Sequence, residues 1–251
     1  MSKLKIAIAG LGFGEKVHIP AIKESNHFNL KYLYHHNKNK IEEIETNTGV
    51  KCFGDWNSIV RSDIDGVIIA TPPHVRYEFA KKALENDKNI LLEKPVALKS
   101  EEIQNLQRIA ISKNLSVCVD FEYRAVPLFM QTKKLIDNNK LGKIYLIKLD
   151  WLMSSRFDPN RVWNWYSLSE KGGGVIGALG THAFDILHWF FGPTTEVFAK
   201  TYTSIKKRPQ TNQMMKVTSE DVCIANLKLS NYPEEIIPVS YTHLRAHETD
   251  R

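Results

Sequence analysis

Four groups of residues have the types and spacing that chemistry needs. Gly10, Gly12, Phe13 and Gly14 follow an apolar run, Leu4 to Ala9. Glycines spaced in this way allow a tight turn and bring bare backbone up to a pyrophosphate, whose charge the amides of a following helix stabilise. The third glycine of the usual Gly-x-Gly-x-x-Gly pattern would fall at Glu15, so Gly14 is the expected substitute. Lys94 stands between Glu93 and Pro95, just after the apolar run Ile90 to Leu92. An ammonium at a strand end can polarise a substrate oxygen and assist proton movement during hydride transfer. His182 and Asp185 lie in a stretch that reads as a helix from about Val175 to Phe191, stopped by Gly192-Pro193. At about 100° per residue, Ala178, His182, Asp185 and Trp189 share one face, which sets the carboxylate beside the imidazole. Asp185 could equally hold the helix to a neighbouring backbone. The fourth group precedes Gly172-Gly173-Gly174 and comprises Trp151, Arg156, Arg161, Trp163, Trp165 and Tyr166. Aromatic faces stack on sugar rings and guanidinium groups bind hydroxyls or carboxylates. Arg156, Trp163, Trp165 and Tyr166 are therefore a candidate substrate wall, with Arg124 as a further cleft residue, although such aromatics also serve as core.

The elements that must carry these residues alternate in the first half. Strand-like runs at Lys5 to Ala9, Leu30 to Tyr34, Lys51 to Phe53, Gly66 to Ala70, Ile90 to Leu92 and Ser116 to Val119 are separated mostly by helix-like segments. Those helices are expected near Val17 to Glu24, Lys40 to Thr48, Val75 to Asn86 and Ser100 to Lys113. Alternation of this kind implies a parallel, doubly wound α/β sheet, and continuous apolar strands imply helices on both of its faces. Beyond Val119 the expectation is a helix near Leu128 to Asn138, a long strand at Ile144 to Leu152, and strands at Glu196 to Thr203 and Asp221 to Leu229. Long strands without intervening helices imply an α+β domain on an antiparallel sheet. The stretch Lys206 to Pro209 reads as an exposed loop.

Cofactor preference is read at the end of the second strand, where an acid would bond the ribose 2′-hydroxyl of NAD. The sequence there is Tyr34-His35-His36-Asn37-Lys38, without an acid. His36 or Lys38, with His35 beside them, could accept a 2′-phosphate, so the reading allows NAD or NADP and leans to NADP; the histidines also suit a plain exposed loop.

Composition excludes several classes. The formal charge of +6 is dispersed among acids rather than blocked, which argues against nucleic acid as a partner. No run approaches the ~18 apolar residues of a membrane span and no cleavable leader is evident, so no membrane association and a cytoplasmic location are expected. Cys52, Cys118 and Cys223 are far apart, lack metal-ligand spacing, and read as small core residues, with no metal expected.

Three further motifs make a resemblance specific. They are Ala70-Thr71-Pro72-Pro73-His74, Glu93-Lys94-Pro95, and Gly172-Gly173-Gly174 followed by Gly180-Thr181-His182-Ala183-Phe184-Asp185. In this order and spacing, from Lys5 to about Leu229, they resemble the Gfo/Idh/MocA family, named for glucose-fructose oxidoreductase and inositol dehydrogenase. The resemblance implies a Rossmann domain (1–121) and an α+β domain on an open antiparallel sheet (122–238), with the active site between them. It also implies NAD(P)-dependent oxidation or reduction of a sugar, polyol or related small compound, usually by a homo-oligomer. Thr71, Pro72, His74, Glu93 and Lys94 then contact the cofactor, Lys94 is catalytic, and His182 exchanges the substrate's proton. The family commonly has Asp where this chain has Ala178. That departure keeps a catalytically silent dinucleotide sensor open as an alternative, and NAD-dependent glycoside cleavage is another. Residues 239–251 continue neither the alternation nor the family pattern, and are expected to be a non-native tail on a C-terminally truncated chain.

Overall fold

The computed structural model describes the backbone of residues 2–242 and the side chains of residues 2–232. The chain divides into two compact units after Asp120. The first runs β1 (Leu4–Ala9), α1 (Leu11–Phe13), a π turn (Gly14–His18), α2 (Ile19–Glu24), β2 (Phe28–Tyr34), α3 (Ile41–Thr48) and β3 (Lys51–Phe53). It continues with α4 (Trp56–Val60), β4 (Gly66–Ile69), α5 (Pro73–Glu85), β5 (Asn89–Leu92), α6 (Ser100–Lys113) and β6 (Val117–Val119). All six strands are parallel, in the order β3-β2-β1-β4-β5-β6. The order reverses between β1 and β4, and in open sheets of this kind ligands bind at the carboxyl ends beside that reversal.

Successive strand residues face opposite sides, so each apolar run feeds two cores. Ala7 and Ala9 of β1 join Val67 and Ile69 of β4 in a core with Ala80, Leu84 and Leu106 from the helices. Ile8 and Ile68, one position out of phase, join Ile19, Ile22, Leu33 and Cys52 on the other face. Each fully buried Ile or Leu stabilises the fold by about 1.5–3 kcal/mol relative to exposure.

The second unit contains a 3-10 turn (Glu122–Ala125), α7 (Pro127–Asp137), β7 (Leu149–Leu152), a π turn (Ile176–Gly180), α8 (Thr181–Phe191) and β8 (Thr194–Tyr202). It ends with β9 (Lys207–Gln210), β10 (Gln213–Lys216), β11 (Val222–Leu229) and β12 (Tyr232–Thr242). The main sheet has the order β7-β12-β11-β8. Its β8, β11 and β12 are antiparallel, whereas β7 joins β12 in parallel. Ala183, Leu187 and Phe191 repeat every fourth residue along α8 and pack on Cys223, Ala225, Leu227 and Leu229 of β11. Among the described residues no helix is long and apolar enough to cross a membrane.

Several expectations change. The first helix begins at Leu11 rather than Val17, because Gly10 turns the chain at φ 96° and the π turn is continuous with α1 and α2. The short α4 was missed; its N-cap is Asp55, which accepts from the Asn57 and Ser58 amides at 3.2 and 3.0 Å. Among the described residues, only Leu149–Leu152 of the long strand expected from Ile144 is paired. Lys206 to Pro209 is not an exposed loop: β9 and β10 form a hairpin there, and Arg208 is buried with its guanidinium donating to the Asp158 and Arg156 carbonyls. Cys118 is exposed, unlike buried Cys52 and Cys223. Val239 to Thr242, expected to begin a separate tail, continue β12 in register with β11 and β7. The rest of that tail, 243–251, lies outside the described residues.

Candidate functional site

The glycine turn shows what each position requires. A Cβ on Gly10 would lie 2.3 Å from the Ala70 carbonyl carbon, and the positive φ is itself unfavourable for other residues. A Cβ on Gly14 would lie 3.0 Å from Ile8 Cγ2, so Gly14 lets the helix approach β1 and takes the packing role of the missing third glycine. A Cβ on Gly12 would meet nothing within 4 Å. The protein therefore does not need glycine at position 12 for its own packing, and the space above it suits a ligand. Phe13, largely exposed, sets its ring edge-on to His18 at 5.5 Å.

Just past β4, the Thr71 side chain is buried and its Oγ1 has no hydrogen-bond partner among the described residues. An open cradle at Gly12 and an orphaned hydroxyl at Thr71 fit a dinucleotide with its phosphates on the turn and a polar group at Thr71. Pro72 caps α5, and His74 is exposed on its first turn. Past β2, His35 and His36 stack at 4.7 Å, and His35 Nδ1 accepts from the Asn37 amide at 3.1 Å. The Lys38 stem packs near Gly54, and the stretch from His35 to Lys38 carries no carboxylate.

Lys94 lies two residues past the carboxyl end of β5 and is half-buried; the peptide joining it to Pro95 is cis. Its flanking backbone is gripped by Arg76 of α5, whose buried guanidinium donates to the carbonyls of Thr71, Glu93 and Pro95. Burial lowers this Arg to about 10, opposed by the negative charge of Glu93. The Glu93 carboxylate turns to His18, with Nε2 to Oε1 at 3.0 Å, and Asp120 Oδ2 is 3.8 Å from the same nitrogen. Sequence reasoning missed Arg76, His18 and Asp120. Nothing local marks them, since His18 and Glu93 are 75 residues apart.

In the second unit the His182 ring is buried, enclosed by Tyr123, Phe121 and Trp151 at centroid distances of 5.0, 6.0 and 6.2 Å. Glu122 Oε1 lies 3.6 Å from His182 Nε2. Asp185 is placed differently from the expectation that set it beside the imidazole. Both of its oxygens accept from Arg124, at 2.8 Å from Nε and 2.6 Å from Nη2. His182 and Asp185 both lie on regular α8, so it is the pairing with Arg124 that engages the carboxylate; the π turn alters the face count only before it, where Thr181 N–H returns to Ile176 O, five residues back, and Ala178 and His182 are not separated by four α-helical steps.

The expected substrate wall is brought together only in part. The Arg156 and Arg161 guanidiniums lie over the Tyr166 ring at 4.6 and 5.4 Å, and Trp165 meets Tyr166 edge-on at 5.6 Å. The Tyr166 phenol oxygen is buried without a hydrogen-bond partner among the described residues, and burial raises its pKa. Arg156, Tyr166, Arg208 and Glu220 line one small cavity. Trp163 is tied elsewhere, its Nε1 donating to Lys216 O at 2.8 Å and its amide to Pro209 O at 2.7 Å, which makes it a brace for the β9–β10 hairpin.

Comparison with known proteins agrees with these features. Residues 4–121 match the oxidoreductase family with an NAD-binding Rossmann fold, and residues 129–245 match the GFO/IDH/MocA C-terminal domain. An uncharacterized oxidoreductase of Synechocystis sp. is 39% identical over 246 residues, covering 96% of this chain and 66% of that protein. Levoglucosan dehydrogenase of Pseudarthrobacter phenanthrenivorans is 35% identical over 157 residues, covering 62% of this chain and 40% of the enzyme. A solved levoglucosan dehydrogenase in complex with NADH and levoglucosan aligns with a TM-score of 0.89 at 27% identity, over 98% of this chain and 68% of that one. The chain thus spans less than two thirds of the curated relatives' own length.

Proposed function

Because the chain belongs to the Gfo/Idh/MocA family of NAD-binding oxidoreductases, we propose that it exchanges a hydride between a nicotinamide dinucleotide and a hydroxyl-bearing carbon of a sugar, polyol or related small compound. The observation that carries the reading is the glycine turn: Gly10 and Gly14 are required by the protein itself, whereas the space over Gly12 is left for a ligand. Kinship with levoglucosan dehydrogenase supports a sugar-like substrate.

When bound, the nicotinamide supplies the two-electron acceptor or donor. The chain's own residues handle the proton. In the oxidative direction the substrate carbon gives up a hydride and its hydroxyl gives up a proton, leaving a carbonyl. His182 takes that proton in this reading, and the nearby Glu122 carboxylate favours the imidazolium so formed. Glu122 thereby fills the place left by Ala178. Lys94 polarises the substrate oxygen, with its backbone held by Arg76. Arg156 and Arg161, lying over the Tyr166 ring, offer hydrogen-bond donors for the substrate's other hydroxyls.

The lack of an acid after β2 favours NADP over NAD, with His36 and Lys38 receiving the 2′-phosphate. Association through the sheet of the second unit is part of the same proposal, since Phe198, Tyr202 and Ile224 lie exposed on it. The deciding experiment is incubation of the protein with NAD or NADP and a panel of sugars and polyols while reduced-nicotinamide absorbance is followed. Growth of the signal with one substrate class is expected; tight cofactor binding with no turnover on any member would favour a sensor, the reading that Ala178 keeps alive.

A further inference from the structure

His18, Glu93 and Asp120 form a buried cluster that the hydride chemistry above does not use. They come from three separate places in the first unit: the end of the π turn, the residue after β5, and the residue after β6. One ligand-type atom from each lies within 4.8 Å of the others. His18 and Glu93 are buried, and Asp120, with its side chain 24% exposed, is the member that meets solvent. We propose that Glu93 and Asp120 share a proton beside His18 and that the three act together as positioning residues for Lys94, so that the charge facing its ammonium follows the protonation of the carboxyl pair. This rests on the reading that Lys94 assists proton transfer.

Two carboxylates this close, one buried and the other only partly exposed, are not both ionised cheaply. The charges divide unequally. Burial pushes the Asp120 carboxyl above its usual range and the charge of Glu93 pushes it further, while His18 and Lys94 oppose. Burial also works against Glu93, but the hydrogen bond and charge of His18, with help from Arg76 and Lys94, hold it below its usual range. The anion is therefore fixed on Glu93, next in the chain to Lys94, and Asp120 is the carboxyl that keeps a proton longest. The charged groups facing the cluster are Arg76 from α5 and Lys94 itself. A divalent cation could use the same three groups, but these two cations already supply positive charge, and His18 Nε2 sits at hydrogen-bond distance from Glu93.

The test has an arm that needs no turnover. Carboxyl carbon NMR of the ligand-free protein should show Asp120 titrating above the ordinary aspartate value of 3.8; ordinary titration would end the idea of a shared proton. In the active protein, Asp120→Asn and His18→Gln should each displace the acid limb of the kcat profile by about half a unit or more. The amide of His18→Gln keeps a donor near the Nε2 position without the charge, so the variant separates titration from folding. A uniform drop in kcat with an unmoved limb in both variants would assign the cluster a merely structural role and overturn the proposal. So would stoichiometric zinc binding that is lost in Asp120→Asn. If Lys94→Ala turns over normally, the reading of Lys94 fails instead, and the NMR titration still decides whether the proton is shared.

Discussion

Replacing Gly12 by Val separates the needs of the protein from those of its ligand. A Cβ at this position meets nothing within 4 Å, so the folded chain accommodates it; losing glycine in a helical turn can even add up to about 1 kcal/mol of stability, less for a β-branched residue. The ligand has no such freedom. A branched side chain over the turn blocks backbone approach to the pyrophosphate and removes at least two hydrogen bonds to charged oxygens, each worth about 1.5–3 kcal/mol. The loss is then about 3 kcal/mol or more, which weakens binding by over ~100-fold. Titration calorimetry with NADH and NADPH measures it, and thermal unfolding in the absence of cofactor shows that the fold survives. A Kd within about threefold of the parent for both cofactors, with unchanged unfolding, would refute the assignment of the turn.

Lys94→Ala is expected to lower kcat by about 100-fold while leaving cofactor affinity within about tenfold, since proton-transfer assistance is worth that much; steady-state kinetics and calorimetry check the split. Glu122→Gln should lower kcat/KM by about tenfold if the carboxylate supports His182, and Asp185→Asn should then act on stability more than on rate. Arg124→Ala leaves the buried Asp185 carboxylate without its bidentate partner, and because the Arg is half exposed the expected cost is about 1–3 kcal/mol by chemical denaturation. Glu220 is held above its usual 4.5, chiefly by burial and against the Ile176 amide that it accepts from. Its folded value being raised, its contribution is full below 4.5 and is lost as pH rises through that folded value, so Glu220→Gln should gain on the parent over this interval; parallel stability curves would contradict this.

What could be read from the sequence was what short stretches encode. The glycine turn, Glu93-Lys94-Pro95 and the His182 segment each announce themselves within a few residues, and the continuous apolar runs of β1 and β4 foretell two-sided burial. NAD-binding oxidoreductase kinship was legible for the same reason. The partners of those residues were not, because they arrive from distant chain: Glu122 is 60 positions from His182, and Arg124 is 61 from Asp185. The β9–β10 hairpin was hidden because Lys206-Lys207-Arg208-Pro209 has the composition of a solvated loop, and only the burial of Arg208 against two carbonyls shows otherwise. Counting at a constant 100° per residue failed where the helix itself does not keep that count.

That last irregularity occurs twice. His18 closes one π turn, and His182 stands two residues past the end of another. A π turn is an α-helix carrying one surplus residue. Because each of these turns closes over five residues where an α-helix closes over four, deleting one residue between Gly14 and Val17, or between Ile176 and Gly180, would let the local helix relax to regular pitch with the flanking segments close to their present phase. The glycine turn and Val175 would keep their faces, and only the widened turn before each histidine would be lost. Among relatives, a single-residue gap in either helix should therefore leave the fold in place and alter only the turn that presents the histidine.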